Sequence, residues 1–297
     1  MKLVLNTNEL GYKDFLSYSI DTFIIGLKNF CHDQPYTIPV KDIPFVIEEL
    51  NSHSKKLSIS LNIFALEKDI KKLDKIIDRL LSFNIDSFIV SDLGVLNLFK
   101  KRNAENKVIL DLQTYVTNKY SAKSLLNLGV KRIVLAKEIT LDDIKQIASF
   151  NKKQIELLVQ GYYPITYSKR PILNNYYKNF NIKKKANIHY IKEESRNDYY
   201  YLIESKNNLS VYNNKQYSLF NYLDVLLESN IDTLRIDTNF LNETEIKEYL
   251  DFYQKGINAI KEKDFNTYNN LKEEFNQKFI FDTPFLHNES FLLKEGK

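Results

Sequence analysis

Short runs of β-branched and apolar residues recur along the N-terminal half of the chain at a steady interval. They are KLVLNT (2–7), DTFIIGL (21–27), KLSISLNIF (56–64), IDSFIVSD (85–92), KVILDLQTYV (107–116), KRIVLAKEI (131–139) and QIELLVQG (154–161). Between most of them lie stretches of helical period. IPFVIEEL (43–50) and IKKLDKIIDRLLSF (70–83) place apolar residues at i, i+3, i+4 and i+7. Strand-like runs alternating with amphipathic helices predict βα units and a parallel sheet. An eighth run, IDTLRIDT (231–238), follows the helical NYLDVLLESN (221–230) and precedes the helical ETEIKEYLDFYQKGINAIKEK (243–263). Eight such units fit an α/β fold of the (β/α)8 TIM-like barrel type better than an open doubly wound sheet. No Gly-rich fingerprint follows the first run, which argues against a dinucleotide site.

Residues 165–220 break this rhythm. The stretch is long, polar and aromatic, with three lysines at 183–185. Within it, YYYLIES (199–205) and NLSVYNN (208–214) read as a small antiparallel pair. This is an insertion between strands 7 and 8, expected to form a lid over the barrel mouth, where barrel active sites lie. The predicted organisation is a barrel over 1–263 containing the lid at 165–220, then a tail, 264–297, that packs on the barrel or on a partner.

Composition narrows the setting. A chain of 297 residues with 43% hydrophobic content is enough for a closed barrel, which typically takes ~250 residues. No run of 18 apolar residues occurs, so no membrane span is expected. The start, MKLVLNTNEL, turns polar too soon for a secretory leader. The single Cys forbids an internal disulfide and points to the cytoplasm. A net charge of +4 does not by itself imply nucleic acid. The 20 Tyr and 19 Phe, with no Trp, are sharper. Codon bias of an AT-rich genome accounts for Tyr, Lys and Asn together; a surface that stacks on bases and holds phosphates is the functional counterpart.

The C-terminal ends of the predicted strands carry Asn6, Asn62, Ser91, Asp92, Asp111, Gln113, Lys137, Glu138, Gln160, Arg235 and Asp237. This polar ring of both signs suits a polar or anionic ligand and matches no standard catalytic set. The four His (32, 53, 189, 287) are scattered and no second Cys joins Cys31, so a structural zinc site is not expected. There is no GxSxG elbow. Asp111 and Glu138 are the weak catalytic candidates. Lys137 and Glu138 could pair with each other, and Glu156, starting its strand, is placed at the bottom or middle of the barrel, away from the mouth. The strongest local signal is a basic and aromatic loop: Tyr162, Tyr163, Tyr167, Lys169, Arg170, Asn174, Asn175, Tyr176 and Tyr177. Lys and Arg neutralise phosphate, Tyr stacks, and Asn reads base edges.

That loop also carries a family resemblance. Glu156, Gln160-Gly161, Pro164, Tyr167-Ser168, Arg170-Pro171 and Leu173-Asn174-Asn175-Tyr176 resemble the signature of the collagenase-like peptidase family U-32. LNIF (61–64), GVKRIVLAKEITLDDI (129–144) and NIDTLRIDT (230–238) extend the similarity over nearly the whole chain. There are departures. Pro164 and Pro171 stand where family members have cysteines, Asp237-Thr238-Asn239 replaces Glu-Gly-Arg, and Asn6-Thr7-Asn8 replaces Pro-Ala-Gly.

The resemblance implies one of three functions. The first is a component of prephenate-dependent 5-hydroxylation of the tRNA wobble uridine, acting with a longer homologue. The second is a collagenase-like peptidase of unknown mechanism. The third is a non-catalytic RNA- or ligand-binding assembly partner. In cluster-bearing members, thiolates at this loop hold a four-iron four-sulphur centre. Lacking them, this chain is expected to bind no cofactor, the iron-sulphur cluster being left to the partner. Binding residues implied for RNA or a small carboxylic acid such as prephenate are Asn62, Gln113, Lys137, Gln160, Tyr167, Lys169, Arg170, Asn174, Asn175 and Arg235.

Overall fold

The computed structural model describes residues 1–287 apart from 33, 114, 151–152, 184–187, 194, 196–197 and 205–207. Lys184, Lys185 and residues 288–297 of the tail therefore lie outside the described residues. In chain order the elements are β1 (Lys2–Asn6), β2 (Thr22–Leu27), β3 (Thr37–Ile38), α1 (Ile43–Ser52), β4 (Lys56–Leu61), α2 (Glu67–Ser82), β5 (Ser87–Val90), α3 (Leu93–Lys100), β6 (Val108–Leu110), α4 (Lys119–Leu126), β7 (Arg132–Val134), α5 (Leu141–Ser149) and β8 (Ile155–Gly161). Then follow β9 (Pro164–Ser168), α6 (Ile172–Asn179), β10 (Ile188–Glu193), β11 (Asp198–Glu204), β12 (Leu209–Tyr212), β13 (Gln216–Ser218), α7 (Leu223–Glu228), β14 (Thr233–Asp237), α8 (Glu243–Lys261), α9 (Phe265–Lys278) and β15 (Phe281–Asp282).

The eight runs read from the sequence are the eight barrel strands. β1, β2, β4, β5, β6, β7, β8 and β14 pair in parallel in that order, and β14 closes the ring onto β1. Strands buried on both faces read mostly as apolar runs, although β4 (KLSISL) alternates serine with leucine and isoleucine. Val4, Ile24, Ile89, Ile109 and Val134 point inward and form a compact apolar plug. Their neighbours Leu5, Phe23, Phe88 and Leu110 point outward beneath the helices. The helices bury the faces their period dictates: α2 buries Leu73, Ile77 and Leu80. Starts are fixed by caps. The Thr140 hydroxyl accepts from Asp143 N at 3.1 Å at the head of α5, and Asn242 does the same for Glu245 N at 3.0 Å at the head of α8.

The insertion is larger than the two-stranded pair expected from its sequence. It is a four-stranded antiparallel sheet in the order β10–β11–β12–β9, with α6 following β9. β9 begins with a proline just after a glycine, and β10 follows the lysine run. Neither offers a strand signal on its own; cross-strand pairing supplies it. β13 then returns to the barrel rim and pairs antiparallel with β8, Tyr217 opposite Gly161. In the tail, α9 lies on α8 with Tyr268 and Phe275 buried. Phe275 stacks on Phe220 with centroids 4.3 Å apart, and the Tyr268 hydroxyl donates to the Phe220 carbonyl at 2.7 Å. β15 adds to β13 in parallel, and Leu141 N donates to the Leu286 carbonyl at 2.9 Å. These contacts bind the described part of the tail to the barrel flank.

Candidate functional site

A small cavity of about 30 Å³ sits at the C-terminal end of the barrel strands. Ile24, Ile89, Val134 and Leu158 form its floor, on top of the apolar plug. Polar groups from the strand ends form its wall: Asn6 and Asp237, Ser60 and Asn62, Asp111 and Gln113, Lys137 and Arg235. Tyr162, Tyr163 and Pro164, at the root of the lid, form its roof. Cavities of this size take water-sized groups, so a larger ligand needs the lid to move.

The wall is cross-linked. Asn6 Nδ2 donates to Asp237 Oδ2 at 2.8 Å, and Gln34 Nε2 donates to Asn6 Oδ1 at 2.5 Å. Lys137 Nζ donates to Gln113 Oε1 at 2.7 Å, and Gln113 N donates to Asp111 Oδ1 at 3.2 Å. Gln113 adopts φ +61°, a left-handed conformation that non-glycine residues rarely occupy. That turn brings its amide back over Asp111. Among the described residues, Ser60 Oγ and Gln34 Oε1 on this wall have no hydrogen-bond partner. Ser60 is 1% exposed.

Beneath the wall runs a buried chain of charges. Asp232 Oδ2 receives Arg132 Nη1 at 3.3 Å, and Arg132 Nη2 contacts Glu156 Oε2 at 3.1 Å. Arg235 Nε donates to Glu156 Oε1 at 2.7 Å, and Arg235 Nη1 donates to Asp111 Oδ2 at 2.7 Å. Arg235 Nη2 makes a further ion contact with Glu156. Burial pushes the Asp111 carboxyl up, but Lys137 and Arg235 outweigh it and hold the group below its ordinary value. For Arg235, burial opposes the charge, and Glu156 with Asp111 more than restores it. Asp111 therefore stays an anion in the cavity wall.

The structure corrects several placements. Glu156 lies mid-barrel, as its position in β8 suggests, yet it is not remote from the site: one guanidinium separates it from Asp111. Lys137 does not pair with Glu138. The bend after β7 turns Lys137 into the cavity, while Glu138 is exposed and lines none of it. Gln160 is fully buried and faces away, its Nε2 donating to Gln216 Oε1 at 3.0 Å. Asp92 caps α3, accepting from Val95 N at 3.0 Å.

The basic and aromatic loop divides in two. Tyr167 packs edge-on against His32 and Phe64, with centroids 4.8 and 5.3 Å away, and His32 stacks on Phe64 at 5.0 Å. Lys169 Nζ donates to the Phe64 carbonyl and lies 3.9 Å from Asp69 Oδ2. These two residues latch the lid to the barrel. On the other side, Phe240 at the barrel rim stacks on Tyr201 of the lid at 4.4 Å. Arg170 and Asn175 are exposed. The backbone amides of Leu173 and Asn174 donate to Glu204 at 2.8 and 3.0 Å, so a buried carboxylate of the lid sheet caps α6. Ser60 and Gln34 were missed by sequence reasoning. For Ser60 the signal was present: in the alternating KLSISL of β4, Ser58 and Ser60 fall on the face opposite the outward leucines and isoleucine. Gln34 lies in a loop, without such a pattern.

Among the described residues no three His, Cys, Asp or Glu side chains converge to hold a metal ion. The residues do not fit an iron-sulphur cluster either. Pro164 lines the cavity and Pro171 is the N-cap of α6; neither carries a donor atom. Cys31 packs on the barrel instead: a Cβ at Gly26 would lie 2.6 Å from its sulphur. No chemistry through such a cluster is derived for this chain.

The chain belongs to peptidase family U32. The match covers residues 9–293. The chain is 21% identical to tRNA hydroxylation protein P2 of Bacillus subtilis over 266 residues, 88% of this chain and 86% of that protein. It is 28% identical to the uncharacterized protease MJ0090 of Methanocaldococcus jannaschii, over 54% of this chain and 40% of that protein. It is 26% identical to tRNA hydroxylation protein P of Helicobacter pylori strain 26695, over 64% of this chain and 48% of that protein. The chain thus spans less than half the length of the two longer relatives. No helix among the described residues is long and apolar enough to cross a membrane.

Proposed function

We propose that this protein is a component of tRNA wobble uridine 5-hydroxylation in the cytoplasm. In this reading it binds a small carboxylic acid, such as prephenate, at the barrel mouth and acts with a longer homologue that carries the iron-sulphur cluster. The observation that carries the proposal is the cavity itself. It pairs an apolar floor with a wall of amides, a hydroxyl, the Asp111 and Asp237 carboxylates and the Lys137 and Arg235 cations. Asp111 is already held by Arg235, which leaves the Lys137 ammonium and the amides to meet a small polar ligand. A peptidase would instead need a nucleophile held by a base, or a metal-bound water. Asp111, the one catalytic candidate on the wall, is committed to Arg235 and the Gln113 amide.

The test is genetic. Wobble uridines are weighed by mass spectrometry in a strain lacking the gene. Loss of 5-hydroxyuridine supports the proposal; an unchanged level overturns it. Retention of the longer homologue on the tagged protein tests the partnership separately.

A further inference from the structure

α6 has two apolar faces, and only one is covered. Its inner face rests on the lid sheet, where Tyr177 meets the His189 ring with the hydroxyl 3.1 Å from Nδ1. Its outer face carries Ile172, Tyr176 and Phe180, one turn apart, and Ile182 continues the line just past the helix end. They are 47, 52, 59 and 48% exposed. A contiguous exposed apolar surface marks an interaction site.

The charge around this ridge has one sign. From Ser168 to Lys183 the charged residues are Lys169, Arg170, Lys178 and Lys183, with no Asp or Glu. Lys169 belongs to the latch on Phe64 and Asp69. Arg170 and Lys183, at the two ends of the ridge, are exposed, as are Asn175 and Asn179, whereas Lys178 projects from the opposite side of α6. The nearest carboxylate beneath, Glu204, is buried and committed to the α6 amides. The Tyr176 and Phe180 rings lie 4.8 Å apart at 45°. Two adjacent open ring faces flanked by cations and amides are what an unpaired nucleotide strand needs: stacking for bases, positive charge for phosphates, donors and acceptors for base edges.

We propose that the outer face of α6 is a docking surface for single-stranded RNA, with Tyr176 and Phe180 as the stacking platform and Arg170 and Lys183 as phosphate contacts. This rests on the RNA-related function proposed above and assigns it a surface away from the cavity. The stacking residues lie outside the latch, so lid closure and RNA docking are separate.

The full chain is titrated with a labelled hairpin RNA carrying a single-stranded uridine-bearing loop. Tyr176→Ala with Phe180→Ala weakens binding by about tenfold or more, the loss of stacking on one to two bases. Tyr176→Phe retains affinity, and Arg170→Ala lowers the slope of log K against log salt by about one. Wild-type protein that does not bind the hairpin, or a double variant that binds it undiminished with unchanged circular dichroism, overturns the proposal. So does a wild-type dimer in sedimentation that the double variant dissolves, since the face then joins two copies. Re-expression in the deletion strain separates the two ideas: full 5-hydroxyuridine with the double variant rejects this surface, whereas no change on deletion rejects the function.

Discussion

Arg235 donates to Asp111 Oδ2 from Nη1 and to Glu156 Oε1 from Nε, each at 2.7 Å, so a single guanidinium ties the mid-barrel carboxylate to the cavity wall. Both carboxylates and the guanidinium are buried. Removing one member of such a set leaves a charge without compensation, at a cost of about 3–5 kcal/mol. Glu156→Gln takes one of two carboxylates from both Arg132 and Arg235. It is expected to lower the urea midpoint more than Asp111→Asn, which takes one from Arg235 alone. Equal losses would mean that Arg132 is carried by Asp232.

The same pair sets a pH dependence. The Asp111 carboxyl is held below its ordinary value in the fold, and an unfolded Asp titrates near ~3.9. A depressed folded pKa contributes stability that is present above the unfolded value and lost as pH falls through the folded one. Wild type should therefore lose its advantage over Asp111→Asn as the medium is acidified below about pH 4. Urea unfolding of both proteins at neutral pH and at pH ~3 measures it. An advantage that persisted in acid would show that the carboxyl is not depressed.

How much of this was legible in the sequence depends on what fixes each element. The barrel strands were legible because burial on both faces writes itself as a mostly apolar, β-branched run, even where β4 alternates with serine. β9 and β10 were not, because PITYS and IHYIKE become strands through their partners in the lid. Lys137, Asn62, Asp111 and Arg235 could be placed at the mouth from strand ends alone. Their pairing could not: Lys137 beside Glu138 looks like an ion pair on paper, and the bend after β7 turns Lys137 into the cavity and leaves Glu138 exposed. Tyr167 and Lys169 stood out as RNA-type residues, yet the fold uses them to hold the lid, since the loop turns them toward Phe64. Tyr176 stood out for the same reason and remains exposed.

The latch gives a dynamic prediction. Tyr167→Ala removes two edge-on ring contacts, each of order 0.5–1.5 kcal/mol beyond simple burial. Because Tyr167 sits on the lid, the loss falls on lid opening and spares the barrel. Hydrogen exchange should speed up by roughly ten- to hundredfold in residues 164–168 and their partners in β12, while β4 and β5 stay protected. Acceleration spread evenly over the barrel strands would show that the lid is no separate unit.

Gly161 marks where the chain leaves the barrel for the lid. Its φ is +122°, and a Cβ there would lie 2.2 Å from the Asp237 carbonyl oxygen. Neither term can relax cheaply, since the oxygen is backbone of a paired strand. Gly161→Ala should lose more than about 3 kcal/mol of stability, strain and clash together. A thermal midpoint within a degree or two of wild type would mean that the β8–β14 junction is softer than its geometry.

Ser60 separates stability from function. Its hydroxyl is buried at the cavity wall without a hydrogen-bond partner. An unsatisfied buried hydroxyl costs on the order of 1–3 kcal/mol, so a fold alone would do better with alanine. Ser60→Ala should leave the protein as stable as wild type or more so, by up to about 1 kcal/mol, which raises the thermal midpoint by roughly 2 °C. Wobble-uridine hydroxylation in cells should fall at the same time, because the group that a bound small acid would satisfy has gone. Residues kept against stability are the signature of a site. The two readouts moving in opposite directions identify Ser60 as part of one. A variant that lost stability and activity together would place the hydroxyl among the barrel's structural contacts instead.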